Sequence, residues 1–223
     1  MLVQEWMTRD VIAVAPDTSI MKASRLMKDN SIRRLPVVDQ EQHVIGIISD
    51  RDIKEASPSK ATSLDVHEMY YLLSELKIHD IMTKHPICAK ETDSMEAMAF
   101  IMAEQRFGGM PVVNAESKLV GIITESDIFK VLVAITGVRI GGIQLAFELP
   151  VTPHSLRPIL DALKELGAGF VSILTSQESN DAPFRRVYIR LRALDKEKEL
   201  AIVSEIKKNF PSLLYWEPGM NNT

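Results

Sequence analysis

Residues 46–52 read GIISDRD and residues 121–127 read GIITESD. Each is a short apolar run opened by a glycine and closed by a hydroxyl residue with an aspartate three positions on, the punctuation of a buried strand that runs into a helix N-terminus. The likeness extends outward from both. Laid over residues 81–128 without a gap, residues 6–53 agree at 14 of 48 positions, among them Met7/Met82, Thr8/Thr83, Ile12/Ile87, Ser19/Ser94, Pro36/Pro111, Gly46/Gly121 and Asp52/Asp127. The agreements fall on turns, apolar strand positions and helix starts, as two copies of one backbone require.

Each copy reads as a β-α-β-β-α unit. A β-prone piece, VIAVA (11–15) or PICAK (86–90), leads to Asp17-Thr18-Ser19 or Thr92-Asp93-Ser94, whose side-chain oxygens can cap a helix. The helix that follows carries Ile20, Ala23, Leu26 and Met27 in one copy, and Met95, Met98, Ile101 and Met102 in the other, at helical spacing. Two strands then flank a polar turn, LPVVD and VIGIIS in the first copy, MPVVN and LVGIIT in the second, and a last helix opens at Ser49 or Thr124. So small a sheet buries one face on its own helices and needs a neighbour for the rest, so the copies are expected to pair. Met21, Met27, Met95, Met98 and Met102 are read as core filling. Between the copies, SLDVHEMYYLLSELK (63–77) reads as an amphipathic packing helix, and its His67-Glu68 lacks the second histidine of a zinc-protease helix.

A net charge of −4 and a pI near 5.8 exclude the basic excess that phosphate-backbone binding needs, so no nucleic-acid partner is expected. The single cysteine, Cys88, excludes an internal disulfide framework and a multi-thiolate metal site, and fits a reducing compartment. The N-terminus lacks a signal-peptide apolar core, and the most apolar stretch, residues 128–147, is broken by Lys130, Arg139 and a glycine pair. A cytoplasmic protein without a membrane span is the expectation. No Ser-His-Asp, Cys-His or metal-ligand cluster stands out, so no enzyme is expected.

Taken in order and in duplicate, the Met-Thr starts, RRLPVVD or GGMPVVN, and Gly-Ile-Ile-(Ser/Thr)-x-x-Asp-Ile resemble a tandem CBS-domain pair, the cystathionine-β-synthase-type regulatory module, over about residues 3–133. The resemblance implies that an adenine nucleotide (AMP, ADP or ATP) or another adenosyl compound such as S-adenosylmethionine binds as a regulatory ligand between the copies. The local physics suits it, because a strand ending at a helix N-terminus presents free amides and the positive end of the helix dipole. Carried over copy by copy, the first site would use Thr8, Ile12 and the backbone around Leu35 and Pro36 for adenine, Ser49 on phosphate and Asp52 on ribose, with Arg33, Arg34 and Arg51 against phosphates. The second would use Thr83, Ile87, Met110, Pro111, Thr124 and Asp127, with Arg106 as a remaining cation, because Gly108 and Gly109 replace the paired arginines. Helix capping by Ser49 and Thr124, with the aspartates steadying the first turn, is the competing reading of the same residues. Two unequal sites are therefore expected.

Beyond Gly137, Gly141 and Gly142 the pattern changes to β-α-β-β-α-β: IQLAFEL, the helix HSLRPILDALKELG, GFVSILTS, FRRVYIRLRAL, a helix from Asp195 to Asn209, and SLLYW. This order resembles the ACT domain, a ferredoxin-like module that often binds amino acids at subunit interfaces. Where that family places a glycine between first strand and first helix, this chain has His154. The whole is thus an α/β (α+β) chain: a first CBS motif at 1–57, an inter-motif helix at 58–77, a second motif at 78–136, a linker at 137–142, an ACT-like domain at 143–217 and a tail at 218–223. A CBS pair followed by an ACT-like domain resembles the acetoin-utilisation AcuB-type proteins and implies a regulatory homodimer in carbon metabolism, with a regulated protein as a further partner. The alternative is a structural dimerisation module with degenerate sites.

Overall fold

The computed structural model describes residues 1–57 and 75–219, and the helix read at 58–77 falls, but for its end, outside them. The chain divides into two compact units, Met1–Phe129 and Lys130–Thr223.

In the first unit α1 (Ile20–Asp29), β1 (Arg34–Val38), β2 (Val44–Ser49) and α2 (Asp50–Ala56) make the first copy. The second runs through α3 (Ile78–Ile81), β3 (Thr83–Lys84), β4 (Ala89–Lys90), α4 (Met95–Gln105), β5 (Gly109–Val113), β6 (Leu119–Thr124) and α5 (Glu125–Thr136), the last of which continues into the second unit. The expected caps are present: Ser19 Oγ accepts from Lys22 N at 3.3 Å and Ser94 Oγ from Ala97 N at 3.1 Å. The two hairpins share one register, Leu35 opposite Ile48 and Met110 opposite Ile123, each with an irregularity after Val37 or Val112. Left-handed residues recur at equivalent places, Ser31 with Arg106 and Gln42 with Ser117.

The copies exchange the Met-Thr segments at their starts, while the β-prone pieces stay with their own hairpins, Val14 beside Val37 and Ala89 beside Val112. Thr83 in β3 pairs with Ile47 in β2, and Thr8 pairs with Ile122 in β6, bonded both ways at 3.0 and 2.9 Å. Hence the sheets run β1-β2-β3 and β4-β5-β6. This crossing explains the Met-Thr and Gly-Ile-Ile motifs together: a Cβ on Gly46 would occupy the place of the Met82 thioether, and a Cβ on Gly121 that of Met7. Each glycine is the seat for a methionine of the other copy. Of the methionines read as core, Met27, Met95, Met98 and Met102 are buried among the strands and helices, but Met21 is 36% exposed, because it lies on the outer face of α1.

The second unit holds β7 (Gln144–Pro150), α6 (Arg157–Glu165), β8 (Phe170–Ser176), β9 (Phe184–Leu191), α7 (Lys196–Asn209) and β10 (Leu213–Glu217). Its antiparallel sheet has the order β10-β7-β9-β8, the ferredoxin-like topology expected from the element order. Alternation along β7 and β9 turns Leu145, Phe147, Leu149, Val187, Ile189 and Leu191 onto Ile159, Leu163, Ile202, Val203 and Ile206 of the helices. Burying each large side chain contributes about 1.5–3 kcal/mol. Arg190, 6% exposed, is satisfied by Thr136 O (3.0 Å), Gly142 O (3.2 Å) and Gln144 Oε1 (2.7 Å).

The first helix of this unit starts at Arg157 rather than at His154, with Pro158 in the first turn where no backbone donor is needed. The preceding turn puts His154 at φ 67°, in the left-handed region that favours glycine. His154→Gly is therefore expected to stabilise the second unit by about 1 kcal/mol, read as a raised denaturant midpoint; an unchanged or lowered midpoint would show that the imidazole compensates the strain.

Candidate functional site

Ser49 closes β2 and caps α2. Its N–H and hydroxyl both donate to Asp52 Oδ2, at 2.7 and 2.8 Å, and Asp52 N donates back to Ser49 Oγ at 3.3 Å. Thr124 repeats this at the start of α5, its N–H (2.9 Å) and hydroxyl (2.8 Å) donating to Asp127 Oδ2. The capping role read as the competing possibility is thus present in both copies. What differs is access. Asp52 is half-buried, and among the described residues its Oδ1 accepts no hydrogen bond, whereas Asp127 is 2% exposed.

A cleft of about 780 Å³ opens in front of Asp52. The first copy contributes Arg33, Arg34, Ile47, Ser49, Asp50, Arg51, Asp52 and Lys54 to its walls, and the second contributes Thr83, His85, Pro86, Ile87, Gln105, Arg106, Phe107, Gly108, Gly109 and Glu125. Four arginines and a lysine face three carboxylates. Lys54 is committed to Asp50 at 2.8 Å, and that bond, with further help from Arg33 and Arg34, holds the Asp50 carboxyl below the usual carboxylate range. Among the described residues none of the four arginines has a carboxylate within 4.0 Å. Four uncommitted guanidiniums beside a helix N-terminus form a positive basin suited to an anion.

The grouping of site residues by copy needs correction. Thr8 and Ile12, assigned with Ser49 and Asp52, do not line this cleft: Thr8 is bound to Ile122, on the strand that leads to Thr124 and Asp127. Thr83, Ile87 and Arg106, assigned with Thr124 and Asp127, do line it. The reason is the strand exchange, which carries the start of each copy onto the sheet of the other. Arg33, Arg34, Ser49, Arg51 and Asp52 lie together on the wall of this cleft. Leu35 and Met110 are fully buried on β1 and β5, and Pro36 and Pro111 are buried beside them, so the side chains of these four lie in the interior and do not line this cleft. Lys54, His85, Phe107 and Glu125 were missed; no motif marks them, Lys54 lies on the same helix as Asp52, and the other three come from the second copy.

Arg34 reaches toward the second copy. A Cβ on Gly109 would lie 3.2 Å from Arg34 Cδ, and one on Gly108 would collide with the Arg34 guanidinium. The glycines opposite the paired arginines therefore make the room that one of those arginines uses. Cys88 is half-buried, and burial pushes its thiol pKa up, away from reactivity. Among the described residues no group of three or more His, Cys, Asp or Glu is placed to hold a metal ion, and no helix is long and apolar enough to cross a membrane.

Comparison with known proteins gives this arrangement relatives. The family model described as CBS domain matches residues 3–59 and 78–134. A CBS domain-containing protein of Dictyostelium discoideum is 30% identical over 134 residues, which cover 60% of this chain and 92% of that protein. Inosine-5'-monophosphate dehydrogenase of Methanocaldococcus jannaschii is 36% identical over 126 residues, 56% of this chain but only 22% of the enzyme, so the chain spans about a fifth of that relative. Among solved structures, the CBS domain pair of protein MJ0100 in complex with 5'-methylthioadenosine and S-adenosyl-L-methionine is similar at TM-score 0.50 and 28% identity, covering 59% of this chain and 95% of that one. CBSX2 in complex with AMP is similar at TM-score 0.50 and 28% identity, covering 60% and 98%. A Vibrio cholerae protein described as an acetoin utilization protein (AcuB) is similar at TM-score 0.52 and 27% identity, covering 62% and 95%.

Proposed function

The chain belongs to the CBS-domain family, and from that premise we propose that it is a non-catalytic sensor whose first unit binds an adenosine-containing compound in the cleft beside Ser49 and Asp52. The observation that carries this reading is the set of arginines Arg33, Arg34, Arg51 and Arg106, none paired with a carboxylate among the described residues, gathered around a half-buried aspartate whose Oδ1 accepts no hydrogen bond from those residues. Asp52 Oδ1 is suited to accept from a ribose hydroxyl, and the guanidiniums to phosphates, with Thr83, Pro86 and Ile87 offering a wall to the base. AMP and S-adenosylmethionine complexes of similar CBS pairs support the ligand class. With Asp127 nearly sealed, one cleft rather than two equal sites is the working arrangement.

The second unit is read as an ACT-like module that relays or combines the signal, supported by its ferredoxin-like order and by the left-handed turn at His154. A homodimer is supported by the helices of the second copy. Phe100 and Phe129 are 66% and 64% exposed, where the equivalent residues of the first copy are Arg25 and Lys54. Aromatic side chains left in water in one copy only, on an otherwise common backbone, fit a surface that a second chain covers. Regulation of acetoin-type carbon metabolism in the cytoplasm, through a regulated protein partner, completes the reading.

Native mass spectrometry of freshly purified protein tests ligand and assembly at once. A dimer mass carrying an adenosine compound is expected, and added AMP, ATP or S-adenosylmethionine should exchange into an emptied cleft. Protein that retains and takes up none of these would favour a structural module with degenerate sites. A monomer mass with and without nucleotide would remove the dimer.

A further inference from the structure

Glu125 is the first residue of α5 and the repeat counterpart of Asp50, the first residue of α2. The two acids keep different company. Asp50 is held by Lys54, one turn further along its own helix, at 2.8 Å. The residue four positions past Glu125 is Phe129, so α5 supplies no such partner. Glu125 instead points over Gly108, where the space of a missing Cβ is shared by its carboxylate and by the Arg34 guanidinium. One charge comes from each copy, they face each other above a residue without a side chain, and both line the cleft.

Resting on the reading of that cleft as an adenosyl-compound site, we propose that Glu125 is its charge-selectivity residue, a resident anion set against Arg34 that limits how much negative charge a bound ligand can bring there. A phosphate that approaches Arg34 has to displace the Glu125 carboxylate or sit beside it. Like charges a few ångströms apart in a partly solvated cleft repel by an amount that changes affinity several-fold per charge. A neutral nucleoside meets no such opposition. The cleft would then accept adenosine compounds generally but grade them by phosphate number less steeply than its arginines alone would. Side-chain size is not the agent, because Gly108 leaves room for both groups.

The test uses the full chain with Glu125→Gln, which keeps the shape and removes the charge, and calorimetric titration with adenosine, AMP and ATP at low and high salt. Adenosine should bind within about twofold of the parent protein, AMP about threefold more tightly and ATP about tenfold more tightly, with the gains shrinking as added salt shortens the Debye length. Glu125→Asp should keep the parent order of affinities. An equal gain for all three ligands, or no gain for ATP while the parent protein binds it, would overturn the proposal. If the parent protein binds none of the three, the failure lies with the cleft reading itself, and the selectivity proposal falls with it.

Discussion

Asp52→Ala is expected to weaken binding of an adenosine compound by about 1.5–3 kcal/mol, the range for hydrogen bonds to a charged group, while Asp127→Ala is expected to act on folding instead. Both aspartates close a box with the hydroxyl residue three positions before them, so both variants lose part of a helix start. Of the two, Asp52 is the more accessible, and its Oδ1 accepts no hydrogen bond among the described residues. Asp127 is 2% exposed, and its removal leaves the half-buried Thr124 amide and hydroxyl without that acceptor, for a stability cost of about 1–3 kcal/mol. Ser49→Ala separates capping from binding, since it removes the cap hydroxyl and keeps the carboxylate. Titration calorimetry beside chemical denaturation measures both properties. Unchanged affinity in Asp52→Ala would sink the assignment of the cleft, and an Asp127→Ala protein as stable as its parent but weakened in binding would restore the symmetric picture.

A larger loss is expected from Gly142→Ala. The added methyl would meet the Leu191 carbonyl oxygen and lie 2.7 Å from Arg192 C and 2.9 Å from Ala193 N, all backbone atoms that no rotamer change can move aside. Gly142 also sits at φ 79° and gives its carbonyl to the buried Arg190. Overpacking together with left-handed strain amounts to roughly 3 kcal/mol or more, enough to leave the second unit marginal. Gly167→Ala is the control: it shares a positive φ of 76° but meets nothing within 4 Å, so only the strain of about 1 kcal/mol applies. Equal denaturation midpoints for the two variants would show that the backbone at 142 yields more easily than its contacts imply.

Much of this molecule is legible in one dimension because its information is local. Ser19, Ser94, Ser49 and Thr124 cap the helices they introduce, and alternation along residues 144–150 and 184–191 marks strands that bury one face on the helices. The repeat adds a second reading of every turn. What the chain hides is pairing between distant segments. Nothing near Thr8 indicates that it bonds to Ile122 rather than to its own copy, because both candidate strands carry the same Gly-Ile-Ile. Grouping the candidate residues by copy therefore fails where the segments cross. Gly108 and Gly109 look like lost arginines in an alignment of the copies, yet they are the space into which Arg34 extends. Glu125 belongs to a helix start of the second copy in sequence and to a wall of the first copy's cleft in space.

The exchanged strands also dictate an order of events during synthesis. The first copy leaves the ribosome without the pieces that close it, since its core waits for Ile78 and the outer edge of β2 for Thr83 and Lys84. Met7 and Thr8 have no lasting place until Gly121 and Ile122, more than a hundred residues later in the chain, have emerged. Contacts so far apart along the chain form late, and an open strand edge is a template for the wrong neighbour. On crowded polysomes the unfinished edge of one nascent chain is free to capture the corresponding segment of another, so dimers interlocked by traded strands are the misfolded product this topology favours.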